Sequence, residues 1–144
     1  VGGISYPALS PDGRRVAYIR KGDGLCVLDR RSGAVVTVES PKMVHFRPAW
    51  SPDGGFIAVT AKDWGNTDIY VMGADGRNAL LLTKGGVKEG MPAWSPDGES
   101  IAVVSVTDSS MAIDILTGIA PYRDSILERN TIEVFKSPRQ GASL

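Results

Sequence analysis

The sequence predicts an all-β protein built from four-stranded β-propeller blades, and two observations support that prediction. A seven-residue block recurs three times along the 144-residue chain. Short runs rich in β-branched and aromatic residues follow each copy of the block at a fixed offset, as expected of strands. A β-sandwich is the alternative, but a sandwich does not require whole blocks of sequence to recur.

The recurring block begins at residues 7, 48 and 92, so the unit is about 40 to 45 residues long, which is the size of a propeller blade. It reads Pro-Ala-Trp-Ser-Pro-Asp-Gly in the second and third copies, whereas Leu9 replaces the tryptophan in the first. Proline presets φ, aspartate bonds its own backbone and glycine tolerates positive φ, so Ser-Pro-Asp-Gly suits a tight turn. We therefore expect these turns to have a structural role.

The apolar runs between the turns justify four strands for each unit. They are four to six residues long and are separated by Gly, Asp and Pro, which is typical of strands joined by tight turns. The first strand leads into the Ser-Pro-Asp-Gly turn, the second lies at 16–19, 57–60 and 101–104, the third at 25–28, 69–72 and 113–116, and the fourth at 34–38 and 79–83. These runs predict blades at about residues 4–40, 45–84 and 89–136.

The repeat pattern stops after residue 116, and residues 117–144 depart from it. The segment 131–135 alternates, and it is either a delayed outer strand of the third unit or the inner strand of a fourth. Propellers close with typically four to eight blades, so three units predict an assembly or a fragment of a longer propeller rather than a free monomer. Three arrangements remain open: pairing of two copies, a longer chain, or a different protein that seals the arc. A three-blade arc has two open flanks whose strand faces, including large inner-strand residues such as Trp50 and Trp94, need neighbours, and we expect these two tryptophans to pack between blades.

Residues 48–83 resemble the WD40-like (PD40) repeat of TolB-like propellers, because they contain that block and then Ile-Ala-Val-Thr, Asp-Ile-Tyr-Val-Met, Asp-Gly and Leu-Leu-Thr. The resemblance implies a non-catalytic scaffold for protein–protein interaction, in an extracytoplasmic, typically periplasmic, setting. It also allows an alternative: a propeller that gates a prolyl-oligopeptidase-like or tricorn-like peptidase whose catalytic domain lies outside this chain. A third possibility is an accessory subunit held permanently in a larger complex.

Composition narrows the classes of function. The chain has 16 basic and 16 acidic residues, which gives no basic excess for nucleic acid, and no apolar run is long enough to span a bilayer. One cysteine and one histidine exclude the common zinc spacings, and no Gly-x-Ser-x-Gly elbow occurs. We therefore expect no cofactor, no metal and no catalysis within this chain. Cys26 lies in an apolar run and is predicted to be a buried core residue.

The order of the turns predicts which loops share a face. Each hairpin reverses the chain, so the Ser-Pro-Asp-Gly turns lie on one side, and the second turns and the links between units lie on the other. The loops of that other side differ between units, as binding loops on a repeated scaffold do. We expect them to bind a protein partner, or a second copy that completes the propeller, through residues not needed for a turn: His45, Phe46, Arg47, Asp63, Trp64, Lys88, Glu89 and Met91.

Overall fold

The computed structural model describes residues 3–38, 44–63, 65–83 and 87–119, and all the regular structure in these ranges is β-strand. Each strand coincides with one of the strand segments predicted from the sequence, because β-branched and apolar side chains suit a pleated sheet that is buried on its faces. The strands are β1 (Ile4–Leu9), β2 (Arg15–Arg20), β3 (Gly24–Asp29), β4 (Val35–Thr37), β5 (Val44–Trp50), β6 (Phe56–Asp63), β7 (Asn66–Gly73), β8 (Leu80–Leu81), β9 (Lys88–Trp94), β10 (Ser100–Val106) and β11 (Met111–Thr117).

The strands form three separate antiparallel sheets in which sequential strands are neighbours. The sheets are β1-β2-β3-β4, β5-β6-β7-β8 and β9-β10-β11. This is the up-and-down order of propeller blades, with the strand that carries the repeated block at one edge of each sheet. The all-β fold of stacked propeller blades is therefore confirmed. The segment 131–135, predicted as either the outer strand of the third unit or the inner strand of a fourth, lies outside the described residues.

A β-bulge occurs at the same place in all three inner strands. The register of β1 against β2 shifts between Ser5 and Ala8, and β5 and β9 shift at the equivalent positions. The proline of each repeat lies inside the bulge, where it has no N–H to donate to the ladder and is tolerated because the strand is an edge strand. The residue before each proline has positive φ: 52° at Tyr6, 49° at Arg47 and 55° at Met91.

The blades are joined by a repeated hydrogen bond as well as by apolar packing. The Trp50 indole Nε1–H donates to the carbonyl oxygen of Ala8 in the first blade at 2.9 Å. The Trp94 indole donates in the same way to Ala49 in the second blade, at 3.1 Å. The Arg15 guanidinium lies 4.7 Å from the Trp50 ring centroid and donates to the Gly54 carbonyl at 2.8 Å. Each tryptophan is therefore held by the blade that precedes it.

Two apolar cores fill the spaces between the three sheets. The first core joins residues of the first and second blades, including Ile19, Leu25 and Ile57, and it also contains Trp50. The second core joins the second and third blades through Phe56, Ile69, Val71, Ile101 and Leu116, among others. Burial of these side chains is the main stabilising term, because it removes apolar surface from water on both faces of the middle blade. Cys26 is fully buried, as predicted.

Trp50 and Trp94 pack between blades, as predicted, and neither lies on an open flank of the arc. Both pack against a blade of this chain, since the inner-strand indole points toward the preceding unit. The apolar side chains that face solvent belong instead to the outer faces of the first and third blades. In the first blade they include Ile4 and Leu9, and in the third they include Met111, Ile113 and Ile115.

Two turn glycines give a test of how tightly the blades are packed. Gly33 and Gly76 both have positive φ, at 74° and 79°, but a Cβ on Gly33 would meet open space, whereas one on Gly76 would lie 2.5 Å from Val38 Cγ2. We expect Gly33→Ala to lower the free energy of unfolding by about 1 kcal/mol through backbone strain alone. Gly76→Ala should lower it by about 2–4 kcal/mol because it adds a clash between blades. Urea denaturation of both variants measures the difference, and equal losses would contradict the packing described.

Candidate functional site

The Ser-Pro-Asp-Gly turns form a closed hydrogen-bond network. In the first turn the Ser10 hydroxyl donates to Asp12 Oδ1 at 2.6 Å and accepts from the Arg15 backbone N–H at 2.9 Å, while the Arg14 N–H donates to Asp12 Oδ1 at 3.0 Å. The second and third turns repeat this pattern through their own serine and aspartate. These acids are held by their own turns, one on each blade, and this arrangement agrees with a structural role.

The same hydrogen bonds favour the ionised carboxylates. The pKa of Asp12 is lowered chiefly by the hydrogen bond from the Ser10 hydroxyl and then by the Arg14 backbone N–H. The pKa of Asp97 is lowered in the same way by Ser95 and by the Glu99 backbone N–H. In the turn that follows β3, hydrogen bonds from the backbone and side chain of Ser32 lower the pKa of Asp29. Charge-assisted hydrogen bonds of this kind fasten the turns most firmly at neutral pH.

The opposite ends of the inner strands surround an open pocket of about 390 Å³. It extends across the start of β9, from the first blade to the third, and its wall is mostly apolar. All three bulge residues contribute to it, because the bulge turns the side chain before each proline toward this end of the arc. The lining residues are Tyr6, Phe46, Arg47, Thr60, Thr67, Lys88, Glu89, Gly90, Met91, Val104, Val106 and Met111.

Tyr6 joins the first and second blades at the edge of this pocket. Its ring meets the Phe46 ring edge to face, with centroids 6.3 Å apart and planes at 79°. The Arg47 guanidinium lies 5.3 Å from the Tyr6 centroid, in range of a cation–π interaction. The Arg47 side chain is therefore held over a ring while it stays exposed, and this leaves its donors available to a ligand.

The start of β9 supplies the centre of the pocket. The Met91 backbone N–H donates to the Thr60 hydroxyl at 3.1 Å, which ties β9 to the second blade. The Met91 side chain is 50% exposed and that of Met111 is 65% exposed. Lys88 is exposed, whereas Glu89 is only 2% exposed. The solvent-facing surface of the pocket thus combines flexible thioether side chains with two cations, Arg47 and Lys88.

The structure brings five of the eight residues predicted for partner binding into one pocket: Phe46, Arg47, Lys88, Glu89 and Met91. They were expected in loops but lie in β5 and β9, because the bulges let the strands continue through these positions. His45 and Asp63 lie in β5 and β6, and their side chains are outside the described part of the structure, as is the whole of Trp64.

Tyr6 was missed by the sequence analysis, although it occupies the same place before proline as Arg47 and Met91. Alignment of the three blocks one residue further toward the N-terminus would have identified it. Val104, Val106 and Met111 were also missed, because they have the sequence signature of ordinary strand residues. Their exposure depends on which face of the third blade is open.

Residues 3–38, 44–63, 65–83 and 87–119 contain no group of three or more His, Cys, Asp or Glu side chains placed to hold a metal ion. The same ranges include no helix with the length and apolar character needed to cross a membrane.

Comparison with known proteins places the chain in a family. The family model described as PD40, TolB beta propeller domain, matches residues 4–113. The chain belongs to this family. The match covers the first two units and the third as far as residue 113, and it includes the bulged inner strands that contribute to the pocket. The TolB-type repeat inferred from residues 48–83 is thereby confirmed.

Individual relatives agree with this assignment. The chain is 36% identical over 83 residues to a protein TolB homolog of Chlorobaculum tepidum, a match that spans 56% of this chain and 19% of that protein. It is 32% identical over 88 residues to dipeptidyl-peptidase 5 of Trichophyton equinum, a match that spans 54% of this chain and 12% of that protein. The crystal structure of TolB from Acinetobacter baumannii superposes with a TM-score of 0.67 at 26% identity, over 81% of this chain and 30% of that one. The chain thus matches less than a fifth of the length of these curated relatives.

The lowered pKa values predict how stability depends on acid. A carboxyl whose pKa is lower in the folded state than in the unfolded state stabilises the fold above the unfolded pKa, near 4. That stability is lost as the pH falls through the folded pKa. We expect the urea concentration at the unfolding midpoint to decrease as the pH is lowered below about 4. This decrease with pH should be less steep in the double variant Asp12→Asn, Asp97→Asn. Asp108→Asn, at an exposed turn acid outside these networks, is the control. An unchanged slope in the double variant would contradict the role given to the two aspartates.

Proposed function

We propose that this chain is a non-catalytic scaffold that docks another protein at the bulge end of its blades. The observation that supports this most directly is the convergence of Tyr6, Arg47 and Met91 on one pocket. Each of these residues has a positive φ, a conformation that costs on the order of 1–3 kcal/mol for a non-glycine residue. Strain that recurs in three blades and turns three unlike side chains toward one pocket agrees with a binding role.

The chemistry of the pocket favours a particular class of partner segment. Arg47 and Lys88 are exposed, and the acid that lines the pocket with them, Glu89, is buried. Met91, Met111 and the two valines offer an adaptable apolar surface. We infer that the bound segment carries carboxylates next to apolar side chains. Surfaces of this kind gain affinity from apolar burial and gain specificity and association rate from charge.

We propose an extracytoplasmic, periplasmic setting for the protein. Membership of the TolB β-propeller family is the basis for placing the chain outside the cytoplasm, in the periplasm of a cell with two membranes.

A second candidate function is supported by one of the relatives. The similarity to dipeptidyl-peptidase 5 is compatible with a propeller that gates access to a peptidase domain. In that case the pocket would lie at the entrance used by peptide substrates rather than at a site for a stable partner. In the described part of the chain the turn acids are engaged one to a blade, so the catalytic residues would come from a separate domain.

Photo-crosslinking, followed by a matched pair of charge reversals, tests the docking proposal. A photo-crosslinking amino acid at Tyr6 should capture a partner from envelope extracts of the source cells, whereas the same group at Glu99, in the turn at the opposite end of the third blade, should not.

Lys88→Glu should then weaken binding of the identified partner roughly three- to tenfold, because an attraction becomes a repulsion at an exposed site. Lys21→Glu makes the same change at an exposed lysine outside the pocket and should leave the affinity unaltered. Equal effects of the two reversals would contradict docking at the pocket.

The peptidase alternative makes a different prediction about the full-length natural protein. If it is a peptidase, a Gly-x-Ser-x-Gly segment should lie outside residues 1–144, and the full-length protein should release p-nitroaniline from dipeptide anilides. Replacement of that serine by alanine should abolish the release. A full-length protein without such a segment and without hydrolysis would exclude the gate and leave the scaffold.

A further inference from the structure

The turns of the first blade carry arginines that the repeated fold does not require. Arg14 follows the Ser-Pro-Asp-Gly turn, and the Arg30 backbone N–H donates to the Arg14 carbonyl at 2.9 Å. In the second blade the Ala74 N–H donates to the Gly55 carbonyl at the same distance. Since alanine and glycine make the same hydrogen bond, the two arginine side chains are not needed to join these turns.

The charge at these turn positions changes from blade to blade. The residue after the turn glycine is Arg14 in the first blade, Gly55 in the second and Glu99 in the third. The register of the sheets makes Arg31 the counterpart of Asp75 in the second blade. A group of arginines at this end is therefore a property of the first blade alone among the three blades.

The acids of the same two turns compensate this positive charge only in part. Asp29 Oδ1 accepts hydrogen bonds from the backbone N–H groups of Arg31 and Ser32 and from the Ser32 hydroxyl, at 2.7 to 2.9 Å. Asp12 is held by its own turn, and its Oδ2 lies 4.0 Å from the Nε of Arg14, whose side chain is 81% exposed. The two turns hold four arginines against two aspartates, so this end of the first blade keeps a net positive charge.

Three of the four guanidinium groups face solvent. Arg14, Arg30 and Arg31 are exposed, whereas Arg15 is engaged by the second blade. The Arg30 Nη1–H donates to the Gly13 carbonyl at 2.6 Å, which holds that side chain over the turn and uses one of its five N–H donors. Like charges on neighbouring strands repel, so the grouping has a cost in stability that agrees with a binding role.

The arrangement favours an anionic chain over a single ion or a membrane. The three guanidinium groups lie on the tips of two turns in contact with water, where one small ion would be held weakly. A flat anionic membrane would also meet the acids of the neighbouring blades at this end, which are Asp53, Asp75, Asp97 and Glu99. A flexible segment with several carboxylates can contact the arginines of one blade together, and guanidinium binds carboxylate in bidentate pairs.

We propose that the turn end of the first blade binds a short acidic segment of another protein through Arg14, Arg30 and Arg31, which together form the arginine surface. This surface lies at the opposite end of the blade from the pocket, so the inference does not depend on what docks at the pocket. Because the contacts are exposed, charge and salt control the affinity and the association rate.

Fluorescence anisotropy with a labelled hexaglutamate peptide tests the proposal, and labelled hexaglutamine is the uncharged control. The chain should bind hexaglutamate and not hexaglutamine, and raising the salt from about 0.05 to about 0.5 M should remove most of the binding. The triple variant Arg14→Gln, Arg30→Gln, Arg31→Gln should bind hexaglutamate about five- to tenfold more weakly, because each exposed charge pair changes the affinity by about twofold.

A second triple variant controls for the loss of net charge. Lys21→Gln, Lys62→Gln, Arg77→Gln removes the same charge at exposed residues outside the arginine surface and should leave the affinity for hexaglutamate unaltered. Thermal unfolding followed by circular dichroism should give both triple variants the melting temperature of the wild-type chain, since the second blade forms the same turns without these arginines.

Four results would overturn the proposal. Hexaglutamate fails to bind the wild-type chain, or the two triple variants lose affinity equally. Lys88→Glu abolishes the binding while the arginine variant keeps it, which would place the peptide at the pocket instead. Inorganic phosphate or phosphatidylglycerol vesicles bind where hexaglutamate does not, which would assign the arginines to a phosphate group rather than to an acidic segment.

Discussion

The hydrogen bond from an inner-strand indole to an alanine carbonyl of the preceding blade is the contact on which the rest of this structure depends. Separate four-stranded sheets have no backbone ladder between them, so only side chains can fix their relative positions. Apolar packing supplies most of the stabilisation, but it is non-directional. One directed bond at the inner edge of each interface fixes the orientation, and the arginine of the first blade over Trp50 reinforces it.

The bulge that exposes each acceptor also builds the candidate site. Proline interrupts the ladder of the inner strand, the extra residue takes a positive φ, and the following alanine carbonyl is left for the next blade. The same distortion turns Tyr6, Arg47 and Met91 toward one end of the arc. Assembly of the blades and presentation of the pocket are therefore two results of one local irregularity, repeated because the sequence is repeated.

The two ends of the blades differ in how far their residues repeat from blade to blade. At one end, Ser-Pro-Asp-Gly turns use their serine and aspartate in closed networks that repeat with nearly the same distances. At the other end, the positions equivalent to Tyr6 hold an arginine and a methionine, and the network is replaced by an aromatic pair, a cation–π contact and exposed thioethers. The residues that repeat stabilise the turns, and the residues that differ between blades line the candidate site.

The sequence by itself determined the strands, their order and the family, because period-two runs and a recurring turn block are local signals that neighbouring residues define. It also located five of the pocket residues, since the order of the turns assigns each loop to an end of the blade. Only the tertiary structure decided that Trp50 and Trp94 are satisfied within the chain, that Tyr6 belongs to the site, and which apolar strand faces stay open. Those properties depend on which neighbour each sheet face meets, and the alternation of side chains along a strand is the same whether a face is covered by another blade or by water.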